Sequence, residues 1–155
     1  MTELIAYDSA YPKGIPDGAA AIFPYGDGRF RWSHTEYPDA SYRYITVNGD
    51  PHDDIADYEY GAVWGIPNLA AWARRRLALN GKHDLTVYTD RNNFSDVVRA
   101  MIGMTWHLFL TTLDGTKPTE FNGKHCRAVQ YTDRTGMYDE SVVFDSDWLN
   151  PPDSQ

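Results

Sequence analysis

The sequence predicts an α/β fold, a compact (β/α)8 TIM-like barrel in which several helices are shortened or replaced by loops. Two observations lead there. Segments of β-type residues recur eight times along the 155 residues. From residue 67 onward they alternate with helical periodicity, which predicts parallel strands. A third observation sets the qualification. Barrels of this kind usually need ~200 residues or more, and the shortage falls on the first half, where little helical pattern is found.

The first strand is expected over Leu4 to Tyr7 and the second over Ala20 to Phe23. Between them Tyr-Pro-Lys-Gly-Ile-Pro-Asp-Gly excludes a long helix. Glu36 to Ala40 has room for one helical turn before a third strand, Tyr42 to Val47. The fourth begins at Ile55. The seven residues between Val47 and Ile55 span roughly 23–25 Å when extended. A strand of five or six residues is ~17–20 Å long, so a helix-free parallel return is feasible. Leu69, Trp72, Ala73 and Leu77 repeat at helical spacing. Pro67 suits the start of that helix and Gly81 its end. Leu85 to Thr89 is the fifth strand. Asn93 caps a second helix carrying Phe94, Val97, Val98, Met101 and Ile102 on one face. Trp106 to Leu113, Arg127 to Thr132 and Ser141 to Phe144 complete the eight. Residues 1–149 read as one domain and 150–155 as a frayed tail. An open α/β sheet with one antiparallel hairpin is the alternative.

Composition narrows the function. A hydrophobic fraction of 42% with 14% aromatics suits a folded globule. The net charge of -8 repels phosphate backbones, so no nucleic-acid partner is expected. The basic run Arg74-Arg75-Arg76 reads as a solvated helix face. Cys126 is the lone cysteine, which excludes an internal disulfide and a CxxC site. There is no signal-peptide pattern and no apolar run near ~20 residues. The expectation is a cytoplasmic protein with no membrane partner, whose release would need another factor. Nothing in the sequence sets the oligomeric state.

Candidate chemistry centres on Ile55-Ala56-Asp57-Tyr58-Glu59-Tyr60-Gly61. Side chains alternate faces along a strand, so Asp57 and Glu59 point the same way with Cα atoms ~6.6 Å apart. Two acids held that close raise each other's cost of ionisation. A carboxylic acid beside a carboxylate is what glycoside hydrolysis requires, and their separation sets the stereochemistry: about 5–5.5 Å for retention, more for inversion. Sites in parallel sheets lie at the carboxyl ends of strands. Asp8, Tyr25, Asp27, Asp50, Tyr88, Asp90, Gln130 and Asp139 also fall at or near strand ends.

Five of these segments together resemble the glycoside hydrolase family 25 lysozymes and related glycoside-hydrolase-like barrel domains of bacteria and their phages. They are Tyr7-Asp8-Ser9, Asp57-Tyr58-Glu59, Val87-Tyr88-Thr89, Val129-Gln130-Tyr131-Thr132 and Asp139-Glu140-Ser141-Val142-Val143-Phe144. The resemblance implies Glu59 as general acid and Asp57 as the partner that stabilises the oxocarbenium-like state or orients an acetamido group. It implies Asp8 and Asp139 as supporting carboxylates, Tyr88 and Gln130 as substrate contacts, a cell-wall glycan as substrate, and no metal or organic cofactor. Tyr25 and Asp50 join the substrate-binding set from their strand-end positions. The chain departs from the family at Val129, where Trp is expected, at Ala10-Tyr11-Pro12 after the first strand, and by a one-residue offset in the last segment. The rival reading is therefore a non-catalytic binding or structural module that keeps the barrel without turnover.

Other chemistries find no support. The five histidines lack metal-ligand spacing; His52, among Asp50, Asp53 and Asp54, reads as a solvated loop. No G-x-S-x-G elbow or phosphate loop is present. Trp64, Trp72, Trp106 and Trp148 read as core.

Overall fold

The computed structural model describes residues 3–134 and 137–149. It shows a mixed α/β fold built on one strongly curled sheet. The strands are β1 (Leu4–Asp8), β2 (Ala21–Ile22), β3 (Ser41–Tyr42), β4 (Ile45–Thr46), β5 (Ile55–Asp57), β6 (Thr86–Asp90), β7 (His107–Thr111), β8 (Glu120–Phe121), β9 (Lys124–Arg134) and β10 (Tyr138–Val143). Nine run in the order β3-β2-β1-β10-β9-β7-β6-β5-β4, and β8 pairs only with β9. The two ends of that path, β3 and β4, are separated by Arg43 and Tyr44 alone. A parallel bridge joins Tyr25 to Ile45, with Ile45 N donating to Pro24 O and Gly26 N to Ile45 O, both at 2.8 Å.

A complete strand–helix repeat is not present, in keeping with the expectation that several helices are shortened or replaced by loops. Among the described residues there are two α-helices, α1 (Ile66–Leu77) and α2 (Phe94–Ala100). The helical content of residues 9–40 is limited to short 3-10 turns, Pro12–Gly14 and His34–Glu36, because Pro12, Pro16, Pro24 and Pro38 deny the backbone donors a helix needs. The segment between β4 and β5 likewise returns without a helix to a parallel neighbour, Thr46 opposite Ala56. Two strands depart from parallel order: β10 is antiparallel to both β1 and β9, and β8 is antiparallel to β9. The antiparallel hairpin of the alternative reading is thus part of the sheet.

Four local readings are corrected. The third strand is two short pieces rather than one run over 42–47. Asn93 precedes α2 but its side chain caps nothing there; it donates to Asp90 Oδ2 at 3.3 Å, while Asp90 Oδ1 accepts from Asn93 N at 2.8 Å. The arginine run is not all solvated. Arg76 is buried and donates to Asp84 O, Pro51 O and Asp54 Oδ1 at 2.6–3.1 Å. β8 was missed, although Asn122-Gly123 is a strong hairpin signal; both residues take positive φ, 48° and 80°.

Strand alternation splits the core in two. Ala56, Val87, Leu108, Leu110 and Val129 face outward against α1 and α2. Ile55, Phe109, Ala128 and Val143 face inward with Phe23, Trp148 and Leu149. Phe23, Phe109 and Trp148 fill the interior with ring centroids 5.1–6.2 Å apart. Below them buried Arg43 forks onto Asp84 at 2.8 and 2.9 Å and stacks on Trp148. The parallel strands finish at the other end.

Candidate active site

β5 alternates inward Ile55, outward Ala56 and inward Asp57. The alternation carries Glu59 to the same side. Tyr58 N still bonds to Tyr88 O at 2.8 Å, and the chain then turns, with Ala62 N donating to Glu59 O at 3.0 Å. Gly61 takes φ +90°, the third-position value of a type II turn that favours glycine. β1 is inward at Ala6 and so at Asp8. The antiparallel register sets Asp139 directly opposite Asp8, on the same face. Asp8 and Asp139 share a side-chain hydrogen bond.

β9 reaches the same mouth through an irregularity. Leu108 pairs with Cys126 but Phe109 pairs with Ala128, so Arg127 is an extra residue. The bulge turns Ala128 and then Gln130 inward. Gln130 Oε1 accepts from the Tyr88 hydroxyl at 2.6 Å, and Tyr88 packs edge-on over Phe109. Tyr25 follows β2 and packs on the interior cluster.

The electrostatics show that these groups share one space. Asp8 is 3% exposed, and burial, then Asp139, Asp57 and Glu59, hold its carboxyl well above the ordinary range. Asp57 is 8% exposed with Oδ1 buried and without a hydrogen-bond partner. Burial and the Glu59 charge push it up to about 8. Glu59, half-buried, is raised by burial, Asp90 and Asp139, against the neighbouring Tyr88 hydroxyl, which lowers it. The phenols of Tyr25 and Tyr88 are raised by the same acids and by burial. So Asp8, Asp57, Glu59 and Asp139, with Tyr25, Tyr88 and Gln130, come together as the strand-end reading expected. At neutral pH such a cluster retains protons, and it can present a carboxylic acid beside a carboxylate.

Asp50 does not join them. It lies in the β4–β5 loop, where its Oδ1 accepts from His52 N at 2.9 Å and pairs with His52 Nδ1 at 3.0 Å. That pairing lowers its carboxyl despite burial. The loop turns its side chain toward its own neighbours, a path strand alternation does not describe.

Two aromatics were placed wrongly or overlooked. Tyr60 is 87% exposed and Trp64 36%, with ring centroids 5.9 Å apart. Both belong to the loop that follows Glu59. Trp64 therefore is not core, unlike Trp72, Trp106 and Trp148. Its position before Gly65 and Pro67, outside the periodic stripe of α1, was the available signal.

No family model matches the chain, and no curated protein sequence does. A solved structure of a family GH25 lysozyme from Aspergillus fumigatus is similar to it, with a TM-score of 0.54 over 96% of this chain and 98% of that one, at 13% identity. The likeness is one of fold. Among the described residues no helix is long and apolar enough to cross a membrane.

Proposed function

We propose that the chain is a glycoside hydrolase acting on the glycan strands of bacterial cell wall, on a (β/α)8 barrel reduced to its sheet and two helices. The observation that carries this reading is the convergence of Asp8, Asp57, Glu59 and Asp139 at one mouth, with three of them held above their ordinary range. Raised carboxyls at neutral pH are what general acid catalysis needs.

Glu59 is the more accessible member of the pair and serves as the acid that protonates the glycosidic oxygen. Asp57 faces the same space, and with the proton that the two crowded acids share placed on Glu59 it stabilises the developing oxocarbenium charge or orients an acetamido group. Asp8 and Asp139 keep the local potential negative, which favours that cationic state. Tyr88 and Gln130, fixed to each other, hold sugar hydroxyls, and Tyr25 closes the adjacent wall. Tyr60 and Trp64 supply stacking surface at the rim, in place of the aromatics absent at Val129 and after the first strand.

One observation favours a second reading. Asp8 and Asp57 are almost closed off from solvent, which suits a module that binds glycan without cleaving it. The test is release of reducing ends from purified cell walls and chitin oligomers across pH 4–8, with pulldown on the same walls. Hydrolysis by the wild type that falls ~10²–10⁴-fold in Glu59→Gln, with binding retained, supports the enzyme. Binding without hydrolysis supports the module. Neither one refutes both.

A further inference from the structure

A second group of acids lies where the segment after β2 bridges to β4, with Asp53 at its centre. Its neighbours are satisfied. Asp27 accepts from Thr46 Oγ1 at 2.5 Å and Val47 N at 2.7 Å. Asp50 is held by His52. Asp54 accepts from Arg76 at 3.1 Å and Tyr44 N at 3.0 Å. Asp53 differs: it is 8% exposed, and its Oδ2 is buried without a partner. Its carboxyl lies flat against Gly26, where a Cβ would come within 2.2 Å of Oδ1 and 2.4 Å of Oδ2. Burial, then Asp27, Asp50 and Asp54, raise it to about 7, with Arg76 opposing.

Asp53 lines a cavity of about 400 Å³ together with Gly26, Arg31, Trp32, Ser33 and Tyr44. The polar atoms of the two aromatics are engaged within the protein. Trp32 Nε1 donates to Ser9 O at 2.9 Å, and Tyr44 Oη accepts from His34 N at 3.1 Å. Their rings therefore offer the cavity apolar surface. The lining thus combines one orphaned buried acid, one arginine, two aromatic walls and two small residues, in a volume suited to a small molecule. Among the described residues no group of three or more His, Cys, Asp or Glu has the geometry to hold a metal ion. An organic cation is the better match to a single carboxyl beside aromatic rings.

We propose that this cavity binds a small zwitterion, an α-amino acid or the amino-acid end of a short peptide, with its ammonium group on Asp53 and its carboxylate on Arg31. The ammonium group gives Asp53 the counter-charge it lacks, and the guanidinium takes the carboxylate by paired hydrogen bonds. Trp32 and Tyr44 flank the side chain. Binding displaces the Asp53 proton to solvent, so affinity rises with pH through about 7 and levels off above it. The charged groups around Asp53 are Asp27, Asp50, Asp54 and Arg76, with His52 on Asp50 and Arg31 also lining the cavity. This site is independent of glycan cleavage and is expected unchanged in Glu59→Gln.

The test is NMR titration of the full chain at pH 8 with alanine, alaninamide and N-acetylalanine, read at the Trp32 indole N–H, the Gly26 amide and the Asp53 carboxyl carbon. The expected result is a saturable shift with alanine at millimolar concentration and an affinity at least about tenfold lower for each blocked form. The Asp53 midpoint should fall on saturation, and Arg31→Gln and Asp53→Asn should each lose binding. Should Asp53→Asn fail to fold, Gly26→Ala replaces it, since the new Cβ drives the carboxyl out of place. No saturation by about 50 mM alanine, equal binding of all three compounds, or binding undiminished in Arg31→Gln and in the Asp53 or Gly26 variant would each overturn the proposal.

Discussion

Replacing Asp57 by Asn should stabilise the protein at alkaline pH and do nothing of the kind in acid. Folding moves this carboxyl from its usual 3.8 to about 8, so the folded state holds the proton more tightly than the unfolded chain. Stability is therefore lost as pH rises from about 4, and the penalty is complete above about 8. At 1.36 kcal/mol per pH unit the displacement corresponds to about 6 kcal/mol as an upper bound. Relaxation of the mouth reduces it, and the Asn amide, placed where Oδ1 has no partner, costs about 1–3 kcal/mol. A net gain of about 2–4 kcal/mol at pH 9 remains, which at 2–4 °C per kcal/mol raises Tm by about 4–16 °C. At pH 4 wild-type Asp57 is protonated and the variant should be equal or slightly weaker. Thermal denaturation of both proteins at the two pH values is sufficient. A Tm difference that is the same at pH 4 and pH 9, or a variant weaker at pH 9, would show that Asp57 is not the crowded, buried acid described above.

Further expectations follow from other parts of the molecule. Tyr60→Ala and Trp64→Ala should each weaken glycan binding by about 2- to 12-fold with little change in kcat, since a stacking contact contributes about 0.5–1.5 kcal/mol; isothermal titration with chitin oligomers and steady-state kinetics separate the two effects. Arg43→Met leaves Asp84 without its forked partner and should cost about 3–5 kcal/mol in urea unfolding near neutral pH. That cost should shrink in acid. Arg43 is among the groups that hold Asp84 below its usual 3.8, and the pair's contribution is present above that value and lost as pH falls through the depressed one. Asp50→Asn should leave glycan cleavage unchanged, because its carboxylate is held by His52 away from the mouth.

The mouth was legible because it rests on a local rule. Alternation along β5 needs only neighbouring residues, and it placed Asp57 and Glu59 on one side; Asp8 and Tyr88 were found by their positions at strand ends. Gln130 was also located, though for a reason the sequence did not reveal: an extra residue at Arg127 reverses the alternation before it. What was misread depended on distant partners. Arg76 is buried because Asp54 and Asp84 come to it from other loops. Asp50 was drawn into the site by its place near a strand end, while its orientation is set by His52 and a loop. β10 pairs antiparallel with β9, and no periodicity announces strand direction.

β9 is irregular twice. Against β7 the extra residue is Arg127; against β10, Ser141 pairs with Gln130 and Glu140 with Thr132, so Tyr131 is passed over. Between these two slips lies a three-residue window, Ala128 to Gln130, whose orientation is anchored on both sides. Asp139, for its part, takes its place from Asp8 across the antiparallel ladder, not from its count along the chain. For grafting or insertional engineering, residues added to β9 beyond Tyr131 should leave the wall of the mouth intact, whereas one deletion between Arg127 and Gln130 would turn that wall inside out.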